Sequence, residues 1–144
     1  MGFIQQNFTV SLTVPITLAG LADQAFASSS LIDNNAGNDY VSANIQVSVT
    51  TGAGGNANGS LICYMVRSVD DLTLDNIDNN LQILGVFNAN GAVSTDYVFS
   101  MDTATTGTLP IGWGFAIFNN TGSALPAIQS VGTVVYCGKQ YYAF

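Results

Sequence analysis

The sequence predicts an all-β chain: an antiparallel two-sheet sandwich, jelly-roll-like, with about seven or eight strands. Three observations carry that expectation. Several stretches alternate apolar and polar residues with period 2, as half-buried strands do. Clusters of Gly, Asn, Ser and Thr interrupt these stretches at intervals of roughly 8–20 residues, where turns are needed. Charged helix formers are nearly missing: the nine acids are all Asp, the only bases are Arg67 and Lys139, and there is no Glu and no His.

The elements follow in order. Phe8 to Leu18 (FTVSLTVPITL) alternates Phe8, Val10, Leu12, Val14, Ile16 and Leu18 against Thr9, Ser11, Thr13, Pro15 and Thr17. Proline has no N–H for a ladder, so this is predicted as an edge strand or one that bends at Pro15. Gly20 to Tyr40 is a long, Ser- and Asn-rich connection with one helical turn expected around Ala22 to Phe26. Alternation resumes with Val41, Ala43, Ile45, Val47 and Val49, and Gly52 to Gly59 reads as a hairpin loop. Leu61 to Val66 is apolar on both sides, as a central, doubly covered strand is. Leu81 to Phe87, Asp96 to Met101, Gly112 to Phe118 and Val131 to Cys137 complete the strands. In Gly112 to Phe118 (GWGFAIF), Trp113, Phe115 and Ile117 share one side and are expected to be wholly buried. Gly112, Gly114 and Ala116 leave the other side bare enough for close approach by another backbone. With 144 residues the chain suffices for one domain with a real core. Residues 1–144 are therefore taken as a single sandwich, with 1–7 an N-terminal arm and 138–144 a C-terminal tail.

Charged residues make up only 8% of the chain, against roughly 25% in an average soluble domain. A surface so poor in charge suits a repeating subunit packed against neighbours more than an isolated monomer. The net charge of -7 speaks against nucleic acid and against anionic membranes, both of which call for clustered bases. No apolar run approaches the ~20 residues of a membrane-spanning helix. The N-terminus lacks the basic and apolar regions of a secretion signal, and Gln6 stands where a myristoylation motif wants Ser or Thr. Cys63 and Cys137 lie in apolar strands and are expected to be reduced, small buried residues, though a disulfide stays open if their strands face each other.

Motifs for chemistry are sparse. Gly52 to Ala57 fits G-x-G-x-x-A, but a strand follows rather than the helix that would hold a pyrophosphate, so no cofactor is expected. Asp70, Asp71, Asp75 and Asp78 could supply oxygens to Ca²⁺, yet their spacing matches no calcium loop, and a solvated acidic loop is the expectation. Without histidine there is no Ser-His or Cys-His pair, and no G-x-S-x-G elbow occurs. The chain is therefore expected not to be an enzyme. The sequons at Asn7, Asn58 and Asn119 are ascribed to an Asn-rich composition. Trp113 and the tyrosines at 64, 97, 136, 141 and 142 raise carbohydrate stacking, set against the commoner role of strand aromatics as core.

Several stretches together resemble a known family. They are Leu31-Ile32-Asp33-Asn34, the strand ending in Thr51-Gly52-Ala53-Gly54, Asn80 to Gly85, and Leu109 to Gly114 running into Asn119 to Leu125. From about Leu31 to Val135 the chain is similar to β-sandwich virion proteins of tailed bacteriophages, of the capsid decoration (cement) type. The tail, Gly138 to Phe144, has no counterpart. The resemblance implies a non-enzymatic protein on the outside of a phage head, assembled in the bacterial cytoplasm and often trimeric. Its partners would be the major capsid protein and its own copies, with no nucleic acid and no membrane. Phe3, Ile4, Tyr141, Tyr142 and Phe144, apolar residues at the chain ends, are the expected assembly contacts. Two alternatives stay open: a carbohydrate-binding module for host recognition, and a tail or fibre component.

Overall fold

A computed structural model describes residues 4–8, 11–34, 39–68, 81–129 and 132–143. Along the chain these form β1 (Ile4–Phe8), β2 (Leu12–Thr13), β3 (Phe26–Ser28), β4 (Ile32–Asp33), β5 (Ser42–Thr50), β6 (Ser60–Ser68), β7 (Gln82–Asn88) and β8 (Asp96–Asp102). A 3₁₀ turn (Thr103–Thr106), β9 (Gly112–Asn120) and β10 (Thr133–Ala143) follow. The first sheet has the order β1-β10-β5-β8, with β2 also on β10, and the second β3-β9-β6-β7, with β4 also on β9. All pairings are antiparallel. From β7 to β10 successive strands cross between the sheets, which is the jelly-roll arrangement expected.

Period-2 alternation sets the core. Ala43, Ile45, Val47 and Val49 of β5 face Leu61, Cys63 and Met65 of β6 and Trp113, Phe115 and Ile117 of β9 across the interior. Trp113, Phe115 and Ile117 are all 0% exposed, as their shared side of the strand requires. Gly112, Gly114 and Ala116 are buried as well, on the strand's opposite side. β6 lies between β9 and β7, so its two-sided apolar character suits its central place.

Three local expectations are corrected. Gly52 to Gly59 is not a hairpin, because β5 and β6 belong to different sheets. The loop crosses between layers, and the hydrogen-bonding needs of β5 are met by β10 and β8 instead. Gly52 is required there: a Cβ would stand 2.1 Å from the Ala124 carbonyl oxygen. No helical turn spans Ala22 to Phe26, where Phe26 instead opens β3 and pairs with Phe118. Phe8 to Leu18 is not one strand. β2 ends at Thr13, pairing only with β10 at the sheet edge as a proline-bearing strand should; Val14 still donates to the Val134 carbonyl at 2.8 Å, and the ladder stops before Pro15, which has no N–H to give. The chain ends meet each other: β1 pairs with the end of β10, Ile4 opposite Ala143 through Phe8 opposite Lys139.

Candidate functional site

Among the described residues, groups able to do chemistry are dispersed. Cys63 points into the core, where burial pushes its thiol up to about 12. Cys137 pairs with Asn44 on the outward side of the other sheet. The two sulfurs thus lie on different layers of the sandwich, and both cysteines are free. Asp102 accepts a 2.8 Å hydrogen bond from the Ala104 N–H, capping the 3₁₀ turn, and stands 3.9 Å from the Lys139 ammonium. Arg67 closes one end of the sandwich, donating to Gln82 Oε1 and to the Thr106 and Thr108 carbonyls. No group of three or more His, Cys, Asp or Glu gathers among the described residues. Asp70, Asp71, Asp75 and Asp78 lie outside those residues. A cleft of about 340 Å³ between Asn34 and Ile111 offers one carboxylate, Asp39, beside backbone and apolar groups.

The two outer faces of the sandwich differ sharply. On the β1-β10-β5-β8 sheet, the outward rows run Thr133, Ser48, Val98, then Thr13, Val135, Gln46, Ser100, then Cys137, Asn44, Asp102. These rows are mostly polar. On the other sheet, register aligns Phe26 with Phe118, Phe118 with Ile62, and Ile62 with Val86. That is one apolar row across four strands. The next row runs Ser28, Ala116, Tyr64, Ile83. Ile83 and Val86 are each 59% exposed and Phe26 42%, while Ile62, Tyr64 and Phe118 are half-buried.

Local geometry builds this patch. A register shift in the β6–β7 ladder, between Cys63 and Tyr64, leaves Leu84 as an extra residue. Leu84 packs against the core, so Ile83 and Val86 both face outward although they are three apart in sequence. Phe26 packs on Phe118 (ring centroids 4.7 Å, planes 48° apart) and on Tyr64 (5.8 Å, 52°). Sequence alone hid the patch. The apolar run Leu61 to Val66 explains itself as a central strand, and strict alternation would put Ile83 and Val86, three apart, on opposite faces; only the shift at Leu84 brings both outward.

The expected assembly residues fall at the joined chain ends. Ile4 and Tyr142 lie in the β1–β10 pairing, Tyr141 is 52% exposed, and Phe3 and Phe144 lie outside the described residues. Of the aromatics considered for sugar stacking, Trp113 and Tyr136 are buried and Tyr97 is half-buried toward the core. Asn119, one of the sequons, is fully buried; its amide donates to the Leu21, Ala22 and Ser123 carbonyls.

No family model matches the chain, and no curated protein matches it either. Among solved structures it is similar to BuGH86, crystallised in complex with neoagarooctaose, at a TM-score of 0.53 and 11% identity over 98% of this chain. The chain spans about a fifth of that protein's length, 20%. It is also similar to the xylan-binding module CBM15 (TM-score 0.49, 11% identity, 94% of this chain and 90% of that one). A third likeness is to the X-ray structure of tomato aspermy virus (TM-score 0.45, 14% identity, 94% and 76%). Together with the strand order, the first of these places the chain in a fold class, the jelly-roll β-sandwich.

Proposed function

We propose that the chain is a non-enzymatic structural protein of a virion, a capsid decoration protein that binds the outside of a bacteriophage head and stabilises the shell. One observation carries this reading: the sandwich has one mostly polar outer face and, on the other, an exposed apolar patch centred on the row Phe26, Phe118, Ile62 and Val86. A subunit that sits on a lattice needs one side to bury and one side for water, and many copies turn modest contacts into high avidity. The major capsid protein is the partner, and the joined chain ends around Ile4, Tyr141 and Tyr142 are where copies meet as a trimer. Assembly takes place in the bacterial cytoplasm, with neither nucleic acid nor membrane as partner. The test is the mass of the purified chain by light scattering, followed by sedimentation with undecorated heads. A trimer that pellets with the heads is expected; a monomer that stays in the supernatant overturns the reading.

A second reading draws on the three aromatic rings gathered on the apolar face. They would suit a tail- or fibre-borne module that binds carbohydrate for host recognition. Against it, the ring planes stand about 50° apart rather than flat, so no shared platform is offered to a sugar. Saturable glycan binding that Phe26→Ala and Tyr64→Ala abolish would favour it.

A further inference from the structure

We infer that Asn90 is a site of spontaneous covalent modification. In the folded chain its side-chain amide is converted, through a cyclic imide formed with Gly91, to aspartate and isoaspartate. The chain's other Asn-Gly pair, Asn58-Gly59, is protected by the fold. This modification is independent of the decoration reading.

The chemistry needs only water. The Gly91 amide gives up its proton and its nitrogen attacks Cγ of Asn90. The N–Cγ bond closes a succinimide ring as the Cγ–Nδ2 bond breaks, and ammonia leaves with that proton. Water then opens the ring at either carbonyl, leaving aspartate or isoaspartate. Glycine in second place leaves the attacking nitrogen unshielded by a side chain. Local structure separates the two pairs. Asn90 is exposed at the tip of the β7–β8 connection, where it and Gly91 have φ of +51° and +67°, as in a type I′ turn. The turn must open for attack, and it is closed by the Ala92 N–H donating to the Ala89 carbonyl at 2.9 Å. Among the described residues the Gly91 N–H has no acceptor to leave. Gly59, by contrast, is buried and held at both ends of its peptide unit. Its N–H donates to the Asn56 carbonyl and its own carbonyl accepts from the Ala89 N–H, each at 2.8 Å. A Cβ on Gly59 would stand 2.7 Å from the Thr121 carbonyl oxygen, so its backbone has no room to swing toward Asn58. Exposed tips open at low free energy, and packed, doubly bonded segments do not. The product brings a negative charge to the turn and, as isoaspartate, lengthens its backbone where Gly91 lies against Asn56.

The experiment holds the full native chain at mildly alkaline pH and follows it by trypsin digestion and mass spectrometry. Trypsin cuts after the only two bases, Arg67 and Lys139, so Asn58 and Asn90 fall on separate peptides, 1–67 and 68–139. Conversion in 68–139 is expected to run at least about tenfold faster than in 1–67, the ratio that one extra buried hydrogen bond to break would set. In urea the two peptides should convert at similar rates, and Asn90→Gln should remove the product from 68–139 of the native chain. Equal rates in the native chain overturn the inference, as does a 68–139 peptide that stays unconverted. A product that persists in Asn90→Gln overturns it by placing the reaction at another asparagine. Unequal rates that persist in urea overturn it as well, because the fold would not be what sets them.

Discussion

The Trp113 ring of β9 meets the Tyr136 ring of β10 edge to face, with centroids 5.3 Å apart and planes at 84°. The contact crosses from one sheet to the other, so it ties the two layers directly. Edge-to-face pairs of this kind add about 0.5–1.5 kcal/mol beyond the area they bury. Because Trp113 is the chain's single tryptophan and is fully buried, its emission reports on the core alone. Native fluorescence is expected to be blue-shifted and insensitive to iodide, shifting red only on unfolding. Trp113→Ala should cost about 3–5 kcal/mol in urea denaturation.

Gly138 is expected to tolerate no side chain. A Cβ there would stand 2.4 Å from Cγ of Tyr40, whose buried ring lies directly over the glycine. Asn34 holds that residue in place, accepting from the Tyr40 N–H at 2.8 Å and donating to its carbonyl at 2.9 Å. Gly138→Ala should therefore destabilise by about 1–3 kcal/mol, the usual cost of overpacking. In a double-mutant cycle, Tyr40→Ala should relieve much of that loss, which additive effects would not do.

Asn119 organises the end of the sandwich. Its Nδ2 donates to three carbonyls, and its Oδ1 accepts from the Thr121 N–H at 3.1 Å and the Thr121 hydroxyl at 2.7 Å. Asn119→Ala would strand several buried groups, so thermal and urea unfolding should show a loss of roughly 2 kcal/mol or more. Asn119→Asp should be worse, since a carboxylate would face those carbonyls with no proton to give. Glycan attachment at Asn119 of the folded chain is excluded by the same burial, and enzymatic tests on native protein should leave it unmodified.

The two thiols should separate by reactivity and by pH. Thiolate is the attacking species, so Cys63, held up to about 12, should ignore thiol reagents in the native chain, whereas half-buried Cys137 reacts first. Intact mass should show two free thiols, both labelled in urea. Stability follows with a definite sign. Above the ordinary thiol pKa of 9.0 the unfolded chain releases the Cys63 proton while the folded chain keeps it, so folding loses up to about 1.4 kcal/mol per pH unit between there and about 12. Burial also raises the Tyr136 hydroxyl, with Tyr40 and Asp33 adding to it, which steepens the same alkaline fall. Urea titrations at neutral and alkaline pH test this; Cys63→Ala should flatten the slope.

Much of the inner architecture was legible in the sequence. Ile45, Val47 and Val49, and Trp113, Phe115 and Ile117, announce their inward faces by period 2, because each alternate side chain meets either core or solvent whichever strand lies beside it. The scarcity of helix formers and the spacing of turns foretold two antiparallel sheets for the same local reason. The β3 and β4 strands were not legible, since two or three residues such as Ile32–Asp33 carry no period and become strands only where β9 offers a ladder.

Partnership belongs to tertiary structure. Local pattern does not say that Gly52 to Gly59 must cross between layers, or that Ile4 lies opposite Ala143, because strand pairing is settled by how the whole chain buries its faces together. The candidate site is the clearest case. Phe26, Ile62, Val86 and Phe118 are scattered through the sequence and read one by one as ordinary apolar residues. Register across four strands turns them outward into a single row, and one extra residue at Leu84 adds Ile83 beside it.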